Sequence, residues 1–449
     1  MLLRLGVLLA FAAMLCGMPG GSTDSRAGGN EKATSLVPPP WGHCYGLNRV
    51  NQTHLDVYSG YRKKFRSPRG IAAVKLAYND SPSRNDDDEL TVYGVNAGSG
   101  EIIYNTSLLS IAFFGSIGSG SGQFLDPTGV AATREGLVVV ADTGNDRIVI
   151  LDNVANDLRY RASVTLAGTD RPFRAPRGVA IEHDSIYVAD SGNGRIVVMN
   201  ASGEFIHELL GSAPLFDPYG IAVISDTDWN HYGSRFMILT DSLNQRILRL
   251  SLDGNVERTV RVSSLTDRGG GCFFPAIDYY SNVYATDTIT GCVYKFDKSL
   301  QFLTSIGCSP DWDIHLHQPR GIAIYRRFGQ IFIAEQSGAT YFWIGTDVLN
   351  LECRAEENAS TVLLHTRFLL TEHSLVTIAL ETERGKEVEV FAQKRFMEPG
   401  RIERVFMIDK GRVPCDNAKC MYSLVVTARP TYASKKYLTV EKKAPVRNL

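Results

Sequence analysis

Three arginines each follow a recurring proline: Arg69 after Pro68, Arg177 after Pro176 and Arg320 after Pro319. Guanidinium groups keep their charge inside proteins and present forked donors, so three gathered at one place would bind a carboxylate or sulfate unless nearby acidic groups neutralise them. The equivalent positions elsewhere read Thr128, Tyr219 and Ala276. A second recurrence is Asp142, Asp190, Asp241 and Asp287, with Arg147, Arg195 and Arg246 five residues after the first three. A carboxylate and a guanidinium repeated so regularly read as turn and inter-strand fixtures rather than as catalytic groups. The acidic run Asp86, Asp87, Asp88 and Glu89 could hold calcium, although a solvated loop is the commoner meaning of such a run.

The elements that must carry these residues repeat as well. Asp126 begins DPTGVA and Val140 begins VADTGNDRI; Ala175 begins APRGVA and Val188 begins VADSGNGRI. Looser copies start at Ser67, Asp217, Phe274 and Gln318. The prolines at 68, 127, 176, 218, 275 and 319 are 59, 49, 42, 57 and 44 residues apart, a period that marks a propeller or solenoid. Within a copy, short Val- and Ile-rich runs alternate with Gly, Asn, Asp and Ser, which predicts four strands and hence one propeller blade.

This spelling, P-x-G-[IV]-A with VAD-[ST]-G-N-x-R-I, resembles the NHL repeat family. The resemblance implies a six-bladed β-propeller and extends over residues 45–345, with blades one and five weakest. Family members include a zinc lyase, RNA binders and adhesive extracellular modules, so the fold alone does not assign an activity. The zinc lyase, a peptidyl-hydroxyglycine amidating enzyme, takes its metal from histidines just after the blade prolines. None of Arg69, Thr128, Arg177, Tyr219, Ala276 and Arg320 is a histidine, which disfavours that chemistry.

The last repeat supplies only three strands, and residues 54–60 read as a fourth-strand segment without a blade, so this segment is expected to close the ring. Residues 1–21 have the basic start, apolar core and small-residue end of a secretory signal peptide, followed by a polar linker at 22–40, the propeller at 41–349 and a further domain at 350–449. In that last part, runs at 361–370, 375–382, 387–393, 402–408 and 421–427 predict a small Ig-like β-sandwich. The expected class is therefore all-β, secreted or extracytoplasmic, without a membrane span.

Seven cysteines remain after Cys16, so at least one is unpaired or intermolecular. Cys415 and Cys420 suit a hairpin bridge, and Cys44 with Cys353 would staple the two ends of blade six. Cys272, Cys292 and Cys308 cannot be paired from sequence. In a eukaryote the triplets at Asn51, Asn105, Asn200 and Asn358 would be glycan acceptors, whereas Pro82 argues against Asn79.

With 47 basic and 48 acidic residues the formal charge is −1, and no dense basic stripe appears, which argues against nucleic acid. No nucleophile elbow, H-E-x-x-H or phosphate-binding glycine loop occurs. The chain is thus expected to be an extracellular binding or protein-interaction module, partnered by a protein or an anionic ligand and needing no cofactor other than conceivable calcium. The competing expectation is a lyase- or lactonase-like enzyme with its site in the central channel.

Overall fold

The computed structural model describes residues 34–80, 90–210, 214–225, 229–243, 245–265, 270–308, 314–413 and 421–447. The expected signal peptide, the acidic run at 86–89 and the Cys415–Cys420 pair lie outside the described residues.

Six antiparallel sheets follow one another along the chain. The second and third strands of each sheet, such as Leu137–Asp142 and Arg147–Val154 in blade two, are apolar on both faces because each sheet is sandwiched between two neighbours. A separate apolar core fills every one of the six seams: one against two, two against three, and so on to six against one. The all-β, six-bladed propeller is therefore closed as a ring.

Closure differs from the expectation. Residues 54–60 are not a strand, because Gln52–Ser59 is a helix. Asn51 caps it by accepting from the His54 amide, His54 Nδ1 accepts from the Asn51 amide in return, and Gly60 ends it in the left-handed region at φ 63. Blade six is instead completed by two short pieces, Leu36–Val37 and Arg49–Asn51, which pair antiparallel with Gly338–Ile344. The stretch assigned to the linker therefore already contributes a strand to the propeller.

Seven strands form the C-terminal domain. Four of them, Glu387–Met397, Ser374–Thr382, Tyr422–Pro430 and Val440–Arg447, lie side by side in that order. Parallel pairing of Val440–Arg447 with Val348–Glu357 joins them to Thr361–Leu370 and Gly400–Asp409. The two halves share one apolar core that includes Phe368, Ile378 and Leu424, giving a small sandwich joined along one edge. Ser434 donates to the Ile344 carbonyl at 2.5 Å and the Thr371 amide to that of Asp347 at 3.1 Å, so the sandwich is fastened to the propeller. No helix among the described residues is long and apolar enough to cross a membrane.

One open cysteine question is answered and one cysteine expectation changes. Cys292 and Cys308 form a disulfide. Cys44 and Cys353 are not bonded to each other: Cys353 is buried in the sandwich core, while Cys44 lies at the seam of blades one and six near the Ser107 carbonyl. Asn105 is also corrected as a glycan acceptor, because its side chain is buried and occupied, donating to the Leu90 carbonyl and accepting from the Val92 amide at 2.8 and 2.7 Å.

Candidate functional site at the channel mouth

The repeated aspartate anchors the loop that enters each inner strand. Its Oδ1 accepts a backbone amide in blades two to five: Leu125 to Asp142 at 2.7 Å, Arg174 to Asp190 at 2.9 Å, Asp217 to Asp241 at 2.9 Å and Gly271 to Asp287 at 3.2 Å. Asn96 does the same for Arg66 in blade one, and Glu335 for His317 in blade six. The repeated arginine then holds the other oxygen, as in Arg147 to Asp142 and Arg195 to Asp190, both at 2.7 Å. In blade five, where Cys292 replaces the arginine, the Tyr294 hydroxyl bonds Asp287 at 3.1 Å. The hydroxyl residue after the aspartate latches the next blade: Thr143 to the Pro176 carbonyl, Ser191 to Pro218, Ser242 to Cys272 and Thr288 to Pro319. These recurrent polar groups are structural.

The same register corrects the repeat alignment of blade five. Cys272 pairs with Asp287 as Pro176 pairs with Asp190, and Pro275 pairs with Ala285 as Val179 pairs with Val188. The equivalent of P-x-G-V-A is therefore Cys272-Phe273-Phe274-Pro275-Ala276. Phe273 occupies the ring position that had been given to Ala276.

In five of the six blades a glycine follows the ring residue and lets the inner strands approach closely, whereas in blade five Phe274 stands there. A Cβ on Gly129 would stand 2.3 Å from the Arg177 carbonyl oxygen, and one on Gly178 2.3 Å from that of Tyr219. Only glycine permits this approach of inner strands.

Arg69, Arg177, Tyr219, Phe273 and Arg320 line one cavity at the end of the channel where the inner strands begin, together with Asp126 and Phe274. Their electrostatics are unequal. Arg69 is paired with Asp126 of the next blade, at 2.8 Å, and donates to the Thr128 hydroxyl at 3.0 Å. Arg177 lies over the Tyr219 ring at 4.8 Å and stands 3.7 Å from Asp217, beyond hydrogen-bond distance, so its buried Nε has no acceptor. Arg320 donates to the Pro68 carbonyl at 3.3 Å and has no carboxylate partner among the described residues. Burial, and then Arg69, pull the Arg320 guanidinium below its usual range. Burial also raises the Asp217 carboxyl, against the influence of Arg177, and raises the Tyr219 hydroxyl against Arg69 and Arg177.

The opposite end is bridged by a side chain. Arg326, between the first two strands of blade six, donates to the carbonyls of Val223 at 2.8 Å and Ile277 at 3.2 Å, with Glu182 4.0 Å away. Those three residues lie at or near the ends of the inner strands of blades four, five and three. Beneath them Tyr432 of the sandwich packs on Gly329. Arg326 thus ties the inner strands of blades three, four and five to blade six at the end opposite the arginines.

The family model for the NHL repeat matches residues 124–151 and 173–199, which run from the entry loop into the third strand of blades two and three. These two matched repeats sit in a closed ring of six blades. The chain is an NHL-repeat β-propeller. The chain is 27% identical over 127 residues to the E3 ubiquitin-protein ligase TRIM71 of Xenopus tropicalis, a match covering 28% of this chain and 14% of that protein. Among solved structures it is similar to a virginiamycin B lyase from Staphylococcus aureus, with TM-score 0.42, 13% identity, and coverage of 70% of this chain and 94% of the other. It is also similar to a calcium-binding regucalcin from Agrobacterium tumefaciens, with TM-score 0.41, 13% identity, and coverage of 63% and 90%.

Sequence reasoning missed a buried polar cluster where the sandwich meets the NHL propeller. Glu372 reaches Lys295 of blade five at 2.5 Å, both side chains fully buried, and accepts from Asn282 at 3.0 Å. Asp278 sits beside them, bonded to Asn282 and the Tyr280 amide. Burial and the neighbouring Glu372 push the Asp278 carboxyl up to about 7; against burial, Lys295 and His373 hold Glu372 below the usual range. Nothing local in the sequence pairs residues 77 positions apart. Among the described residues no three His, Cys, Asp or Glu side chains gather in a metal-ligating group.

Proposed function

We propose that this NHL-repeat protein is a secreted binding module that receives the anionic end of a partner in the arginine-lined mouth of its propeller. The observation that carries the reading is Arg320, a half-buried guanidinium without a carboxylate partner, facing the same cavity as Arg177 with its unpaired Nε. A carboxylate or sulfate entering there would gain charge-assisted hydrogen bonds from both and offset the mutual repulsion of the arginines. Tyr219, Phe273 and Phe274 give the same cavity an aromatic wall, which favours ligands that carry an apolar face beside the charge.

Export is supported by the basic start and apolar run of residues 1–15 and by the Cys292–Cys308 bridge, since disulfides persist in oxidising compartments. The mature amino terminus of protein recovered from its native source would show whether the first residues are removed.

Benzoate and sulfate are suitable probes, titrated calorimetrically into the full chain. Replacing Arg69, Arg177 and Arg320 together with Gln is expected to abolish binding while the melting transition stays cooperative. Replacing Arg320 alone should weaken binding at least tenfold, and replacing Arg69 alone should do less, because Asp126 already engages it. Equal effects of the two single changes, or no binding of either probe to the unaltered protein, would overturn the reading. Turnover of a lactone, abolished by the triple change, would instead favour the channel enzyme.

A further inference from the structure

A second cavity, which shares no lining residue with the arginine mouth, lies at the seam where the ring closes. Its walls come from blade one, including Ile71, Val92 and Ile103, and from blade six, including Phe332 and Tyr341; residues 43–65 of the N-terminal segment cover it. The volume is about 140 Å³ and the lining almost wholly apolar. An apolar protein cavity of roughly 150 Å³ takes up benzene, so the space suits one six-membered ring.

Two residues of this lining, His43 and Asn48, each carry a buried polar atom without a partner. His43 is 5% exposed, its ring packed edge-on against Phe332 and Tyr341 at 5.0 and 5.7 Å. One ring nitrogen bonds the Leu90 backbone while Nε2 is buried and unpaired. Burial lowers the His43 pKa to about 4, so at neutral pH the ring is uncharged and Nε2 is an acceptor. Asn48 donates its amide to the Pro39 carbonyl at 3.1 Å, leaving its buried Oδ1 likewise unpaired. A buried acceptor without a donor has given up its hydrogen bonds to water and gained none in return. Both residues line one cavity, and neither of these two atoms has a hydrogen-bond partner. A ligand that supplies the donor resolves the mismatch.

We propose that the seam cavity is a binding site for an uncharged, ring-sized apolar molecule carrying a hydroxyl or N–H donor, a phenol-type ligand, with His43 Nε2 as the acceptor that orients it. The ring would take the place of empty apolar volume between blades one and six, and the hydroxyl would donate to His43 or Asn48. Because the N-terminal segment is also the strand that closes blade six, occupancy would stiffen the closure itself.

The test titrates 4-fluorophenol and fluorobenzene into the full chain, followed by fluorine NMR and by melting temperature. The phenol is expected to bind one to one and raise the melting temperature, and fluorobenzene to bind at least tenfold more weakly. His43→Phe should erase that preference. Gly94→Val is the second variant: Gly94 lines the cavity, and an added Cβ there meets nothing nearer than 3.8 Å, so the fold tolerates it while the volume shrinks. It should abolish binding of both probes. The triple arginine variant should bind 4-fluorophenol as the unaltered protein does, which separates this site from the mouth. Absence of phenol binding, equal affinity for the two probes, binding unaffected by Gly94→Val, or loss in the arginine variant would each overturn the proposal.

Discussion

Arg49 Nη2 lies 3.0 Å from both carboxylate oxygens of Glu335. Glu335 occupies the position of the repeated aspartate in blade six, and in blades two, three and four the matching guanidinium comes from the third strand of the same blade. Here it arrives from the strand before blade one. The chemistry of the repeat is preserved although the chain that supplies it is nearly 300 residues away.

Arg49→Met should therefore loosen the ring at its closure. Glu335 is 5% exposed on its side chain, and losing a charged donor at such a group costs about 1–3 kcal/mol. Denaturant unfolding should show that loss, and limited proteolysis should cut first in the N-terminal segment. An unchanged midpoint would place the closure energy elsewhere.

Gly178→Ala should be far more damaging than its size suggests. The new Cβ would lie 2.3 Å from a backbone oxygen of the neighbouring inner strand, and a backbone in a packed ring cannot step aside. A loss of roughly 3 kcal/mol or more, or failure to accumulate folded protein, is expected by circular dichroism. A mild effect would mean that the inner strands are not in close register.

Stability should depend on Asp278 with a definite sign. Its folded pKa of about 7 stands above the unfolded value, so the native state binds more protons between about pH 4 and 7 and stability falls as pH rises through that window. Asp278→Asn should flatten that decline, with the curves for the two proteins diverging by about 2 kcal/mol between pH 5 and 8. His43 works in the opposite direction over part of this range, since its depressed pKa favours the folded state as pH rises from about 4 to 6.5. Parallel curves would show that Asp278 titrates normally.

Removing the Cys292–Cys308 bridge by paired substitution with Ser should cost about 3 kcal/mol, the loop-entropy value for a closure of this length. The measurement is the difference in unfolding free energy between oxidised and substituted protein. Peptide mapping without reductant should recover the two cysteines joined.

The ring of blades was legible because each repeat carries its own local fixtures, and Asp142 with Arg147 or Asp190 with Arg195 recur at fixed spacing for a reason visible within ten residues. Blade five misled because Pro275 is the most conspicuous local signal there but sits three places after Cys272, the true counterpart of the other prolines. The helix Gln52–Ser59 escaped notice because it is two turns long and buries only Leu55, leaving periodicity nothing to register. In the sandwich, Thr361–Leu370 matched the expected run, whereas Val440–Arg447 was hidden by its lysines and proline. Arg69, Arg177 and Arg320 could be grouped from the repeat alone. That Asp126 takes Arg69 and leaves Arg320 unmatched depends on how adjacent blades meet, as does the Lys295–Glu372 contact.

Arg326 reaches across the far end of the central passage, and a passage stopped there would be a socket. A long molecule cannot thread through a socket; it can only be held by an extremity, and a second molecule cannot enter until the first has backed out by the route it came. Selection by such a device falls on what a partner displays at its tip, and a closed loop of any composition has no tip to offer.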